Sequence, residues 1–407
     1  MEHKYTVKKF LLMMLLFLLM YRPSIVGVSA NYYFIFILFF SFVFFKKIQI
    51  YNNYIKKILL PLVLITVYIF LMVILKNGAL EALIGNVNLF ISLFIVMELF
   101  ISPFSRKNIT CNVLNWIISI GCFQSFLCIL MKISPTFYDL FSIEAQYITS
   151  IDFNRNYGIA GSTEFLYGIG LVHGFIALIL LDRFIKKKKL KDFILVIVML
   201  IPCVLDTRTG ILCFAVGAIP LLFDIKRLLM LLKRFIYLVP IIGIAIFLFI
   251  KVSVNNSFFL QFIEAVGALI FSKTDTKVYE WYGGLLPSNW IFPSGMDFLF
   301  GTGQFDNYNT YLISGVHDSG YYRMIYLGGV VLIILALYAV FKYISSSMVD
   351  SRLKKGILLF IILSVFKGNA FVISSFMCTV VLIVEYFNHK YRRELDEYCG
   401  DNIKVQA

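Results

Sequence analysis

Charge is what this chain has least of. Asp, Glu, Lys and Arg together make up 15% of its residues, against 60% hydrophobic and 17% aromatic, with a mean hydropathy of +0.87. A soluble protein of 407 residues could not hide that much apolar surface behind so few charges, so a water-soluble globular fold is excluded. Histidine is scarcer still: there are four, none close to a Cys-x-x-Cys, which argues against zinc. The seven cysteines lie in apolar runs or near basic segments, and none falls in a long polar loop, so no disulfide framework is implied. Internal repeats and low-complexity tracts are also missing.

What is there is a series of apolar runs separated by short basic clusters. The runs read as membrane-spanning helices over approximately 10–29, 32–45, 58–75, 83–101, 112–133, 164–181, 193–206, 209–223, 235–250, 321–341, 356–368 and 370–387. The net charge of +14 would suggest nucleic acid on a soluble domain, but the basic residues gather between spans: Lys46–Lys57, Arg106–Lys107, Arg183–Lys191, Lys226–Arg234, Lys342–Lys355 and both termini. Under the positive-inside rule these clusters mark cytoplasmic segments. Placing the N-terminus in the cytoplasm sends every cluster to that side, and twelve crossings return the C-terminal "HKYRRE" there too. The expected fold is therefore an all-α polytopic membrane protein with about twelve transmembrane helices. It forms a single membrane domain with two outward-facing loops, 134–163 and the larger 251–320 before the last three spans, and a cytoplasmic tail, 388–407. Residues 1–30, with "GVSA" before Asn31, also have the shape of a signal peptide. A retained first span is the better reading, because a second apolar run follows at once.

The stretch "CVLDTRTGILC" puts Asp206 and Arg208 in the middle of apolar sequence. The basic clusters on either side require an even number of crossings, so 193–223 must be a hairpin. As one helix its 31 residues would be about 46 Å long, and each half alone is about 20 Å, against a hydrocarbon core of about 30 Å. The tip "DTRTG" is thus expected to sit recessed below the outer surface, and "KGNAF" within 356–387 has the same signature. Ionised groups at such depth are rare without a task. Arg208 is the sharpest case. Its alternatives are an Asp206–Arg208 pair stabilising the turn, or an arginine snorkelling to headgroups.

Arg155 in "FNRNYG", Arg208, and Arg323 in "GVHDSGYYR" are expected at the outer face, where converging arginines suit an anionic group such as pyrophosphate. His317 is the only histidine in a long outer loop. It is suited to take a proton from an attacking hydroxyl, with Asp318 to orient it and Tyr321 nearby; a solvated loop histidine is the alternative. Trp281, Tyr282, Trp290, Phe292 and Tyr308 suit stacking on sugar rings, although aromatics also gather at membrane interfaces for other reasons. "GTGQF", Gly301 to Phe305, is too short to define a phosphate loop.

Taken together, "RNYGIAGSTEFLYGIGL", "DTRTG" and "FGTGQF…HDSGYYRMIYLGG" resemble the bacterial O-antigen and capsular polysaccharide polymerase family (Wzy type), within the superfamily that includes O-antigen ligases. The likeness covers the whole layout of about a dozen spans with a large loop before the last ones. "RNYGIAGSTE" departs from a common family form with Asn or Pro soon after the Gly, which makes Arg155 less secure than Arg208. The resemblance implies a cofactor-free, metal-independent glycosyltransferase of the bacterial inner membrane, with both termini cytoplasmic. It would join oligosaccharide repeat units carried on undecaprenyl pyrophosphate, beside a flippase and a chain-length regulator, with no nucleic acid involved. Arg155, Arg208 and Arg323 would hold pyrophosphate, and His317 with Asp318 would activate the acceptor hydroxyl. Trp281, Tyr282, Trp290 and Tyr321 would contact sugar. The rivals are a ligase of the same superfamily and, from a different class, a flippase. Against the latter, most spans carry no polar residue at mid-depth.

Overall fold

The structure, a computed structural model, describes residues 2–21, 55–78, 80–96, 100, 110–139, 168–205, 209–223, 292–304, 319–367, 371 and 374–405. Every regular element among them is helical. In chain order these are α1 (Glu2–Tyr21), α2 (Leu60–Leu75, entered through a π-helical turn, Ile55–Leu59), α3 (Leu80–Val96), α4 (Thr110–Ile133), α5 (Gly168–Lys187), α6 (Leu190–Leu205), α7 (Thr209–Leu222), the short α8 (Met296–Phe300), α9 (Gly320–Ser345), α10 (Ser351–Lys367) and α11 (Ser374–Val405). Four segments are long and apolar enough to cross a membrane: Lys56–Leu75, Val113–Ile133, Gly168–Lys187 and Gly320–Ser345. The expected spans 32–45 and 235–250 lie outside the described residues.

Helix α5 is the hub. Every residue from Gly168 to Leu180 is buried, the mark of a helix that is apolar all round and surrounded by protein. Helices α6 and α7 flank it, α10 packs on α7, and α11 closes the far side. Phe175 of α5 meets Phe360 of α10 and Phe376 of α11 edge-on, with centroids 5.6 and 6.0 Å apart. Helix α2 is built differently. Leu62, Ile65, Ile69 and Val73 face the bundle, while Leu60, Val63, Leu64, Val67, Phe70, Leu71, Ile74 and Leu75 are exposed. A contiguous apolar face of that size is a liability in water and the natural surface in lipid.

Contacts between the helices sort their ends into two sets. At one end, Lys186 of α5 pairs with Asp182 (2.9 Å) and approaches Asp350 before α10 (3.8 Å), while Arg183 Nε donates to Asp192 at the start of α6 (2.8 Å). There too, Tyr343 donates to Glu385 (3.0 Å), Asn388 donates to the same carboxylate (3.2 Å), and the Met348 amide donates to Asn388 (2.6 Å). Lys57 and Arg392 lie within electrostatic reach of Glu385. The basic segments preceding α2, between α5 and α6, and between α9 and α10 therefore share one end. That is the arrangement the sequence's charge bookkeeping expects.

At the other end α6 and α7 form the two halves of the expected hairpin. They have 16 and 14 residues, which at about 1.5 Å each give about 24 and 21 Å. Neither would cross a core of about 30 Å unaided. Close contact with α5 and α10 is made through glycine. A Cβ on Gly210 would lie 2.0 Å from the Gly170 carbonyl oxygen, and one on Gly174 would lie 2.5 Å from the Gly210 oxygen. Further along α7, a Cβ on Gly356 would lie 2.5 Å from the Gly217 oxygen. Gly170 and Gly174 are four apart on one face of α5, so Gly-x-x-x-Gly makes a groove in which the first turn of α7 rests.

Because the obstacle at Gly210 is backbone, Gly210→Ala is expected to cost about 3 kcal/mol. In Gly121→Ala the new methyl meets the flexible end of Met199 (Sδ at 2.8 Å), and the cost should be less than half as large. Thermal unfolding of the two variants in detergent measures the difference; equal shifts would contradict this account.

Candidate functional site

Tyr321 and Arg323 belong to the end of the bundle where α6 stops and α7 begins. Residues 206–208, and hence Asp206 and Arg208, lie outside the described residues, as do Arg155, Trp281, Tyr282, Trp290, Tyr308, His317 and Asp318. Their flanks are fixed. On the α6 side, Cys203 Sγ donates to the Gly170 carbonyl (3.3 Å); on the α7 side, Gly210 sits against that same carbonyl. Cys203 near the end of α6 and Gly210 at the start of α7 thus both meet the first turn of α5.

Beside this point lies a polar residue of the 164–181 apolar run. His173, fully buried on α5, shares a hydrogen bond of 2.8 Å between Nε2 and the hydroxyl of Tyr21, the last residue of α1, which is equally buried. The His173 ring also lies within reach of the Met199 backbone carbonyl of α6. The pair ties α1 to the hub one turn below the Gly210 contact. A signal existed in the sequence: a histidine within an apolar run needs a partner. Nothing in the sequence pointed to Tyr21.

Helix α9 is broken one-third of the way along. Gly328 (φ −143°, ψ 16°) and Gly329 (φ 66°, ψ −168°) are both non-helical, so carbonyls in the preceding turn lose their acceptor role in the helix. Two side chains from elsewhere replace it. Thr302 donates to the Tyr326 carbonyl from both its amide (2.6 Å) and its hydroxyl (2.9 Å). Tyr68 of α2 donates to the Gly328 carbonyl (2.8 Å), with the Phe300 carbonyl 3.1 Å away as a second acceptor. In an apolar surrounding, freed backbone groups must find such partners.

The segment 292–304 is the plug. Gly301 packs its Cα onto the Gly328 backbone, and a Cβ on Gly329 would lie 2.1 Å from the Leu299 carbonyl oxygen. Gly303 rests on Met72 and Lys76 at the end of α2, where Lys76 pairs with Asp297 at 2.8 Å. Gly301 to Gln304 therefore form a backbone seat for the broken helix rather than a phosphate loop. Met296, Phe298, Leu299 and Phe300 turn outward, and Phe292 stacks edge-on with Phe298 (5.8 Å).

The first two turns of α9 carry the two expected site residues that are described. Tyr321 donates its hydroxyl to the Ile362 carbonyl of α10 (2.9 Å) and meets Phe366 edge-on (5.9 Å). What it offers to a ligand is ring surface. Arg323 is half-buried, and its Nε is enclosed without a hydrogen-bond partner. Because α10 also carries α7 through Gly217 and Gly356, Arg323 and the flanks of Arg208 stand at the same end of one rigid assembly.

An open-sided apolar cleft of about 750 Å³ runs down the bundle between α2, α3, α9 and α11. On α9 its lining extends from Met324 to Tyr343, and on α2 from Ile69 to Lys57. Its α9 wall is about 28 Å long at 1.5 Å per residue, close to a full bilayer core. No family model matches the chain, and neither does any curated protein or solved structure.

Tyr68→Phe strips the Gly328 carbonyl of its donor and is expected to cost about 1–3 kcal/mol. Hydrogen exchange should accelerate at amides around 326–332 and remain unchanged along α5. Unaltered exchange at the break would remove Tyr68 from this role.

Proposed function

We propose that the protein polymerises oligosaccharide repeat units carried on undecaprenyl pyrophosphate into surface polysaccharide, at the outer leaflet of a bacterial inner membrane. In this reading about twelve helices span the bilayer, both termini are cytoplasmic and the α6–α7 turn opens outward, recessed because its helices are short. The observation that carries it is the joining, through α10, of the helix end bearing Arg323 with the hairpin flanking Arg208. The cleft that begins at Met324, next to Arg323, is apolar and suits a hydrocarbon chain.

The chemistry follows from those groups. The acceptor hydroxyl oxygen bonds to the anomeric carbon of the donor glycan as the bond from that carbon to the diphosphate oxygen breaks. His317, oriented by Asp318, takes the hydroxyl proton. Arg208, Arg155 and Arg323 offset the charge that builds on the departing undecaprenyl diphosphate. Trp281, Tyr282, Trp290 and the ring of Tyr321 hold the sugars by their apolar faces. The arginines stabilise the leaving group directly, and the reaction consumes nothing beyond the two lipid-linked glycans.

Purified protein reconstituted with a lipid-linked repeat should yield a ladder of products. Arg208→Ala and His317→Ala should each lower the rate about 100-fold or more. A ladder unaltered by both substitutions would displace the site, and no ladder from the wild type would overturn the reaction. Cells lacking the protein separate the related alternatives: single repeats reach the final acceptor if it is a polymerase, whereas long chains are stranded on the carrier if it is a ligase.

A further inference from the structure

We infer that the start of α9 is a binding site for a phosphate group, formed by Ser319 Oγ, the first-turn amides and Arg323. Ser319 occupies the N-cap position, where a serine ordinarily turns its oxygen onto an amide of the first turn. Here it makes no such bond. The residue is 0% exposed, and Oγ has no hydrogen-bond partner. A buried hydroxyl left unpaired is costly, and serine is a poor choice for that position unless something else accepts or donates there.

Three further features point to an anion. The Ser319 carbonyl accepts from the Arg323 amide (3.1 Å), so the first helical turn closes at once and its earlier amides point out of the helix end. Arg323 is four residues after Ser319 and therefore on the same face, with a buried and unpartnered Nε. The first turn contains no acidic residue to occupy the site from within. The break at Gly328–Gly329 leaves 320–327 as a two-turn helix, held by Thr302 and by Tyr321 on α10, so these donors are fixed before any ligand arrives. A phosphate oxygen accepts from a hydroxyl, from amides and from a guanidinium, the three kinds of donor gathered here.

As the diphosphate pocket of a lipid-linked donor, the site rests on the proposed polymerase reaction; as a phosphate site it rests on this geometry alone. The test is calorimetric titration of the full-length protein in nonionic detergent with inorganic pyrophosphate, and separately with glycerophosphoglycerol, the headgroup of a bulk anionic phospholipid. Ser319→Ala and Arg323→Gln should each weaken pyrophosphate binding at least about tenfold, with Arg323→Lys restoring part of it. Ser319→Ala should leave the melting temperature of the ligand-free protein unchanged, because no cap is lost. A lowered melting temperature with binding intact would make Ser319 an ordinary cap and overturn the inference, as would binding unchanged in both variants. Tighter binding of glycerophosphoglycerol would support the phosphate site while assigning it to bulk lipid instead of the donor. Ladder formation is scored apart. Wild-type protein that binds pyrophosphate through Ser319 and Arg323 yet makes no ladder keeps the site and loses the reaction.

Discussion

The arrangement depends on backbone touching backbone at glycine. In lipid, apolar side chains gain little by leaving hydrocarbon for other apolar side chains, so helices are held by close packing and by polar contacts. Close approaches in this bundle are Gly210 on Gly170 and Gly174, Gly78 on Gly303, Gly217 on Gly356, and Gly328–Gly329 on Leu299–Gly301. Each removes the side-chain layer that would keep two axes apart. Each also lies where a short or broken element must be held by its neighbours, since α6, α7 and the outer part of α9 are too short to be secured by length alone.

The second constraint follows from the first. An interrupted helix exposes carbonyls, and a hydrocarbon surrounding offers them nothing. At the break in α9, the replacement donors come from more than 20 residues upstream and from another helix altogether: Thr302 in the plug and Tyr68 on α2. The plug itself is anchored at the end of α2 by Lys76 and Asp297. Breaking α9 therefore couples α2, α8 and α9 into one unit, while α10 couples α9 to α7 and so to the hub.

Helix boundaries were largely legible from hydropathy and charge. The expected 58–75, 112–133 and 209–223 correspond closely to Leu60–Leu75, Thr110–Ile133 and Thr209–Leu222, because apolar runs and basic ends are local properties of sequence. The pairing of basic segments at one end was legible for the same reason. Less so was α9, read as an unbroken 321–341, because two glycines in an apolar run look the same in a straight helix and a broken one. "GTGQF" and the Gly-Gly of α9 stand in one motif of the sequence, but their direct contact does not show there. His173 and Ser319 were missed as polar groups of interest. Their significance lies in burial and in the partners they have or lack, and neither is written in neighbouring residues. Of the expected site, Arg323 and Tyr321 are seen in place; Arg155, Arg208, Trp281, Tyr282, Trp290, His317 and Asp318 lie outside the described residues.

Recessed helix ends and a polar site are two sides of one requirement. A helix that crosses the whole core satisfies its own backbone and presents only side chains to its surroundings. To offer amides, hydroxyls and charge below the membrane surface, a chain must end a helix there, and it must then hold the end rigidly enough that its polar groups do not collapse onto one another. Here α6 and α7 end over the Gly-x-x-x-Gly groove of α5, and the outer turns of α9 end at Ser319 with the break sealed behind them. Ser319 and Arg323 flank the second of these ends, so a hydroxyl and a guanidinium fall where the backbone of α9 already had to stop.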